Sequence, residues 1–140
     1  MDIKVKKLEK EAKLPVYANL SDAGADLFAL EGLELSPGER TQVRTGIAME
    51  IPDGYVGLIW DKSGLSHKQG LKVLGGVIDA SYRGEIMVGI INLGNEKAAM
   101  ESGHKVAQIL FQRVEQAGIV EVNELNETSR GEGGFGSTGR

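Results

Sequence analysis

The carboxylate of Asp79, the Lys62-Ser63-Gly64 step and the small-residue run from Arg130 to Gly139 are the parts of this sequence with chemistry to offer. Asp79 closes Gly75-Gly76-Val77-Ile78-Asp79 and leads into Ala80-Ser81-Tyr82-Arg83-Gly84, the densest stretch of the chain. Val77 and Ile78 are expected to face a core or an interface. An acid directly behind them is costly unless it is paired or works as a base; a turn-capping aspartate is the plainer alternative. Lys62, Ser63 and the backbone N–H of Gly64 put a cation, a hydroxyl and an amide in succession. That suits a phosphate at the first turn of a helix and equally describes a capped surface turn. The tail Gly131-x-Gly133-x-x-Gly136 has the letters of a dinucleotide fingerprint. That fingerprint needs a preceding strand, a following helix and a later acid, and with the sequence stopping at Arg140 these are not expected. Its physical content survives: small residues let successive N–H groups face one anion. Ser137 and Thr138 add hydroxyls, and Arg130 can fork onto phosphate oxygens. A mobile tail and a phosphate-clasping arm are both open on these grounds.

Other chemistries are excluded by what is missing. There is no cysteine, so disulfides and thiolate metal sites do not arise. His67 and His104 lie in polar, turn-like contexts without a carboxylate pattern, and a zinc-type site is not expected. No histidine can be placed beside a particular serine, so no Ser-His-Asp relay can be argued. A net charge of −4 without a long basic run leaves nucleic-acid or membrane-surface binding without its electrostatic footprint. A phosphorylated substrate then requires cations gathered locally. No apolar run approaches the ~18 residues of a membrane span, and the start MDIKVKKLEKEAK has no apolar signal core. Asn126-Glu127-Thr128 reads as a chance glycosylation pattern, and the expected location is the cytoplasm.

These residues need a scaffold. At 140 residues, with 41% hydrophobic and 26% charged, the chain has the length and balance of one globular domain. Aromatics are only 5%, so aliphatic side chains must supply the core. The 20 glycines are not periodic and call for tight turns and close backbone approaches. Short apolar-polar alternations predict strands over Gln42–Arg44, Ile47–Ile51, Tyr55–Trp60, Leu71–Leu74, Glu85–Leu93, Lys105–Val114 and Ile119–Val122. A Thr45-Gly46 break separates the first two, and Pro52-Asp53-Gly54 makes a turn. Helical pattern is limited to Lys6–Lys13 and a short turn near Ser63–Gln69. The expectation is all-β, a sandwich or closed barrel. Residues 1–122 would form the domain, and residues 123–140 a polar linker followed by the glycine-rich arm.

In order along the chain stand Ala23-Gly24-Ala25-Asp26-Leu27, Asp61-Lys62-Ser63-Gly64-Leu65, Gly76-Val77-Ile78-Asp79 through Glu85, Gly103-His104-Lys105-Val106-Ala107-Gln108-Ile109, and Arg130 through Gly139. Together these five stretches resemble the motifs of the trimeric dUTPase family and cover nearly the whole chain. The second departs from the family pattern, with Lys62 where most members carry arginine; the charge is kept and the planar two-pronged grip is lost.

The resemblance implies a distorted jelly-roll β-barrel, assembled as a homotrimer whose three active sites lie at subunit interfaces and are covered by a swapped C-terminal arm. It implies hydrolysis of dUTP to dUMP and pyrophosphate by water attacking the α-phosphorus, which supplies dUMP for thymidylate synthesis and keeps uracil out of DNA. Asp79 matches the acid that orients and deprotonates the water. Ser63 bridges the phosphates, Gln108 and the Gly64 backbone donate further bonds, and Lys62 supplies charge. Arg130, Gly136, Ser137 and Thr138 hold the outer phosphates from the arm. Mg2+ rides on the triphosphate and water with no direct protein ligand, while Asp26 orients those waters or a neighbouring cation. The hairpin of Val73, Gly76, Val77 and Ile78 reads the base through main-chain groups, with Met87 lining the pocket. Tyr82 packs under the sugar, and Phe135 stacks on the base as a lid. Two rivals are a dCTP deaminase, which needs a glutamate where this chain carries Gly89, and a non-catalytic nucleotide- or protein-binding homologue.

Overall fold

The computed structural model describes residues 1–139. The chain runs β1 (Lys4–Lys7), β2 (Ala25–Phe28), β3 (Leu33–Leu35), β4 (Arg40–Glu50), β5 (Tyr55–Trp60), α1 (Ser63–Gln69), β6 (Leu71–Leu74), β7 (Val77–Ile78), β8 (Glu85–Asn92), β9 (Ala98–Met100) and β10 (Lys105–Arg113). The strands form two four-stranded sheets, β1-β4-β8-β6 and β2-β10-β5-β7, and a small β3-β9 pair. The fold is all-β and jelly-roll-like, with its strands in three sheets rather than one closed cylinder.

Alternation explains the packing. In β8 every second residue, Ile86, Val88, Ile90 and Asn92, is buried, as the period of two demands for a strand with one face on a core. Val106, Ala107 and Ile109 of β10 face them from the second sheet within the same apolar cluster. Among the described residues the buried apolar side chains are all alanine, valine, leucine, isoleucine or methionine, as the scarcity of aromatics requires. Buried Asn92 is fully engaged: its amide donates to the carbonyls of Leu35 and Glu96, both at 2.9 Å, and its oxygen accepts the Gly94 N–H at 2.8 Å.

Three expectations change. The Thr45-Gly46 break is a bulge inside one long strand, since the β4–β8 register shifts between Arg44 and Ala48. The Thr45 hydroxyl donates to the Ile86 carbonyl at 2.6 Å, and Gly46 takes a positive φ of 70°, so the ladder bends and resumes. The Lys6–Lys13 helix does not form. Lys4–Lys7 pairs with Lys7 opposite Ile47 and Lys4 opposite Glu50, because a helix of two turns is marginal alone and an open sheet edge satisfies the same backbone groups. Ile119–Val122 forms no strand and is exposed.

Candidate active site

Gln108 sits in the central strand of the second sheet. It lies opposite Asp26 of β2 on one side and Trp60 of β5 on the other. This double register draws residues from the first, second and fourth motifs to one place. Gln108 Nε2 donates to the Asp61 carbonyl at 2.8 Å. Gly24 makes room for it: a Cβ there would stand 2.3 Å from Gln108 Oε1.

Asp26 is 2% exposed beside this glutamine. Lys62 Nζ donates to its Oδ1 at 2.5 Å, and Lys105 Nζ stands 2.8 Å from Oδ2. The second contact is a short ion pair, so each carboxylate oxygen of Asp26 faces a lysine ammonium. Burial pushes the Asp26 carboxyl up, but the two lysines outweigh it and hold the group below its ordinary value. Asp26 therefore stays charged and orders cations. With Lys72 on the Asp61 carboxylate at 2.9 Å, three lysines gather at this end of an otherwise acidic chain.

Ser63 and Gly64 open α1 and are exposed. Ser63 lines a cleft of about 340 Å³ with Ala23, Trp60, Asp61, His67 and Gln108. α1 ends at Gly70, whose left-handed φ of 73° closes the helix.

The expected base-reading hairpin has a different construction. Its two strands do not pair with each other: β6 is the edge of one sheet and β7 the edge of the other. The Gly75-Gly76 link spans them, and Val73, Gly75, Gly76 and Val77 line a slot of about 150 Å³ with Leu58–Trp60 and Lys72. Gly76 is demanded twice, by its φ of 112° and because a Cβ would lie 2.7 Å from the Ile59 carbonyl. Met87 and Gly89 line a neighbouring cleft with Leu74, Gly75 and Gly76 rather than this slot.

Asp79 lies elsewhere. Ile78 is opposite Gly57, which sets Asp79 beside Val56, and its cleft is lined by Asp53–Val56, Ala80, Ser81 and Val114. From Val56 to Trp60 the strand advances about 13 Å, and Ser63 follows Trp60 by three residues, at the start of α1. Within one chain, Asp79 and Ser63 line different clefts. Asp79 is also exposed in the single chain, so the burial argument for it does not apply there. Tyr82 folds its ring back, its hydroxyl donating to the Glu85 carbonyl at 2.8 Å. Gly84 permits this, since a Cβ would stand 2.4 Å from that hydroxyl.

Among the described residues the arm makes no hydrogen bond to these places. Its backbone bonds, such as Gly133 N–H to the Arg130 carbonyl and Ser137 N–H to Gly134, stay inside the segment. Arg130 Nε folds back on Gly133, Phe135 is fully exposed with a φ of 49°, and Gly136 has a φ of 96°. Asp61, Lys105 and Trp60 join this site without having been among the expected functional residues. The adjacent acid-cation pair Asp61-Lys62 was the one local signal; Lys105 was hidden by the register shift between Lys105 and Ala107.

Comparison with known proteins agrees with this geometry. The dUTPase family model matches residues 10–139. The chain is 47% identical over 140 residues to the deoxyuridine 5'-triphosphate nucleotidohydrolase of Thermobifida fusca, covering 98% of this chain and 78% of that protein. It is also 47% identical to the protein of the same name from Clostridium kluyveri, over 99% of both. A mutant dUTPase of Staphylococcus bacteriophage 80alpha, solved with dUpNHpp, superposes with a TM-score of 0.94 at 30% identity over 99% of both chains. A mutant dUTPase of phage phi11 of S. aureus, described with a structural Mg(II) ion, gives 0.83 at 28% identity over 89% of this chain and 98% of that one. With its motif residues on the same scaffold from end to end, the chain belongs to the dUTPase family.

Proposed function

We propose that this chain is a dUTP diphosphatase, converting dUTP to dUMP and pyrophosphate as a homotrimer with composite active sites. The observation that carries the composite site is the separation of Asp79 from Ser63 along β5. A base and a phosphate grip set in separate clefts of one chain come together in this reading when copies adjoin. The exposed run Ile119 (94%), Val120 (77%), Val122 (56%) and Leu125 (86%) supports the same reading. Apolar residues left this bare on a terminal segment fit a neighbour's surface and let the arm reach a neighbour's site.

In this reading Asp79 takes the proton of the attacking water, and its exposed carboxylate is free to do so. The new bond forms at the α-phosphorus; the bond to the bridging oxygen breaks, and pyrophosphate leaves. Ser63, the Gly64 N–H and Gln108 hold phosphate oxygens in line, while Lys62 and its neighbouring lysines neutralise charge. Val73, Gly76, Val77 and Ile78 take the base, with Met87 behind them and Tyr82 against the sugar. Arg130, Gly136, Ser137 and Thr138 close on the outer phosphates, and Phe135 covers the ring.

Among the described residues no cluster of three metal-ligating side chains exists, and Asp26 faces lysines. In this reading Mg2+ is carried by the triphosphate and its waters, where the ion would supply charge neutralisation. Among the described residues no helix is long and apolar enough to cross a membrane; the cytoplasm is the location this reading assigns. The domain reading, residues 1–122 with a linker and arm over 123–140, is retained in this proposal. The dCTP deaminase alternative lacks support, since Gly89 faces Leu74 across the β8–β6 pair and brings no carboxylate.

Pyrophosphate release measured on dUTP, dTTP, dCTP and UTP, with and without magnesium, tests the proposal. It expects turnover of dUTP alone and dependence on the metal. Ammonia from dCTP, or no pyrophosphate from dUTP, overturns it.

A further inference from the structure

Asp61 ties together three parts of the site. Its Oδ1 accepts the Val73 N–H at 2.6 Å, its Oδ2 pairs with Lys72 Nζ at 2.9 Å, and its carbonyl accepts Gln108 Nε2 at 2.8 Å. The next residues in the chain are Lys62, Ser63 and Gly64. Val73 belongs to a four-residue edge strand held on one side only, by β8. Such an edge moves readily unless something else holds it. Because the Val73 N–H points to Asp61, it points away from β8. In an antiparallel strand a residue's N–H and C=O share a side, so the Val73 carbonyl also faces outward, toward the slot that Val73 lines.

We propose that Asp61 is a positioning residue for base specificity: by accepting the Val73 N–H, it fixes the slot wall so that the Val73 carbonyl meets the base. The proposal rests on the base-slot reading above and adds the group that holds the slot in register. The chemistry favours uracil. A fixed carbonyl acceptor matches the imide N–H of uracil and opposes the unprotonated ring nitrogen of cytosine, a mismatch that discriminates strongly. A charged acceptor makes the restraint firm, and Lys72 keeps the carboxylate turned the right way. Since the same residue carries the phosphate-gripping loop and Gln108, a shift of the base wall is also transmitted to that loop.

The test compares wild type, Asp61→Ala and Asp61→Asn in the full-length oligomer. For Asp61→Ala the expected result is a rise in KM for dUTP of about tenfold with kcat within about threefold. The preference for dUTP over dCTP should fall by about tenfold as well. Asp61→Asn keeps an oxygen acceptor and should restore both KM and preference. Hydrogen exchange reads the bond directly: the Val73 amide should be protected in wild type and Asp61→Asn and fast in Asp61→Ala. A fast Val73 amide in wild type overturns the proposal even if Asp61→Ala fails to fold. An alanine variant that melts earlier but keeps KM and preference also overturns it, leaving Asp61 a structural tie. An Asn variant as impaired as Ala does the same, because charge rather than the Val73 bond would then be at work. A wild-type enzyme without preference for dUTP over dCTP removes the base-slot reading itself, and this proposal with it.

Discussion

The two ends of β5 are built on opposite terms. At the Trp60 end, Asp26 is buried between Lys62 and Lys105, Gln108 is pinned to Asp61, and Gly24 leaves room for the glutamine and nothing larger. At the Val56 end, Asp79 is exposed, and the hydrogen bonds of the arm's described residues stay within the arm and its linker. One end is organised inside a single chain; the other has reactive groups and no enclosure. The contrast teaches that charge placement is a property of the single chain, while in the proposed assembly enclosure would come from other chains and from the ligand. Groups that must be rigid are bonded in advance, and groups that must open for entry and release are drawn from weakly held segments.

The sharpest way to break this comparison is at the exposed end. Asp79→Asn keeps the shape and removes the base, so kcat should fall by about 10²–10⁴-fold while calorimetry still detects dUTP binding. Near-normal turnover would mean that the acid lies elsewhere. At the organised end the effect should appear in stability. Asp26→Ala leaves two lysines facing each other and should cost about 3 kcal/mol in urea unfolding, the low end for a buried pair because Lys105 is half exposed. The pH dependence follows from the sign of the shift. A carboxyl held below its ordinary value stabilises the fold above its unfolded pKa of about 3.9, and that stabilisation is lost as pH falls through the lower folded value. Wild type should therefore lose stability below about pH 4 with a slope that Asp26→Asn lacks; parallel curves would show that the lysines do not hold Asp26.

Smaller in effect is removal of residues 130–140. The truncated chain should lose about 100-fold in kcat/KM with its circular dichroism and sedimentation unchanged. Loss of the folded oligomer would instead make the arm part of the scaffold. The smallest effect concerns Lys62, whose ammonium is already committed to Asp26. Lys62→Arg should change KM for dUTP by less than about threefold, since a fork adds little where one prong is anchored. A much larger gain would show that the lysine reaches the phosphate only weakly.

Much of the fold was legible from alternation. Tyr55–Trp60 and Leu71–Leu74 are strands over the expected residues, and Ser63–Gln69 is the expected helical turn. What misled was local pattern without its partner. Lys6–Lys13 carries helix formers, yet Lys4–Lys7 is taken by the β4 edge. Thr45-Gly46 looks like punctuation, and only the β4–β8 register reveals a bulge. Ile119–Val122 alternates like a strand but has no sheet to join within its own chain. Among site residues, Gln108 and Asp26 were pointed to by the motif resemblance, whereas their adjacency needed the double register of β10.

By itself the sequence determined which residues can carry charge, bend without strain or pack into an aliphatic core, because these are properties of side chains and their near neighbours. It also determined the family, through motif order. Only the tertiary structure decided that Asp26 is enclosed by Lys62 and Lys105, that β6 and β7 part company into different sheets, and that Asp79 and Ser63 stand at opposite ends of β5. Those outcomes depend on which strands meet and in what register, and strand pairing joins residues far apart in the chain through backbone groups that every sequence shares.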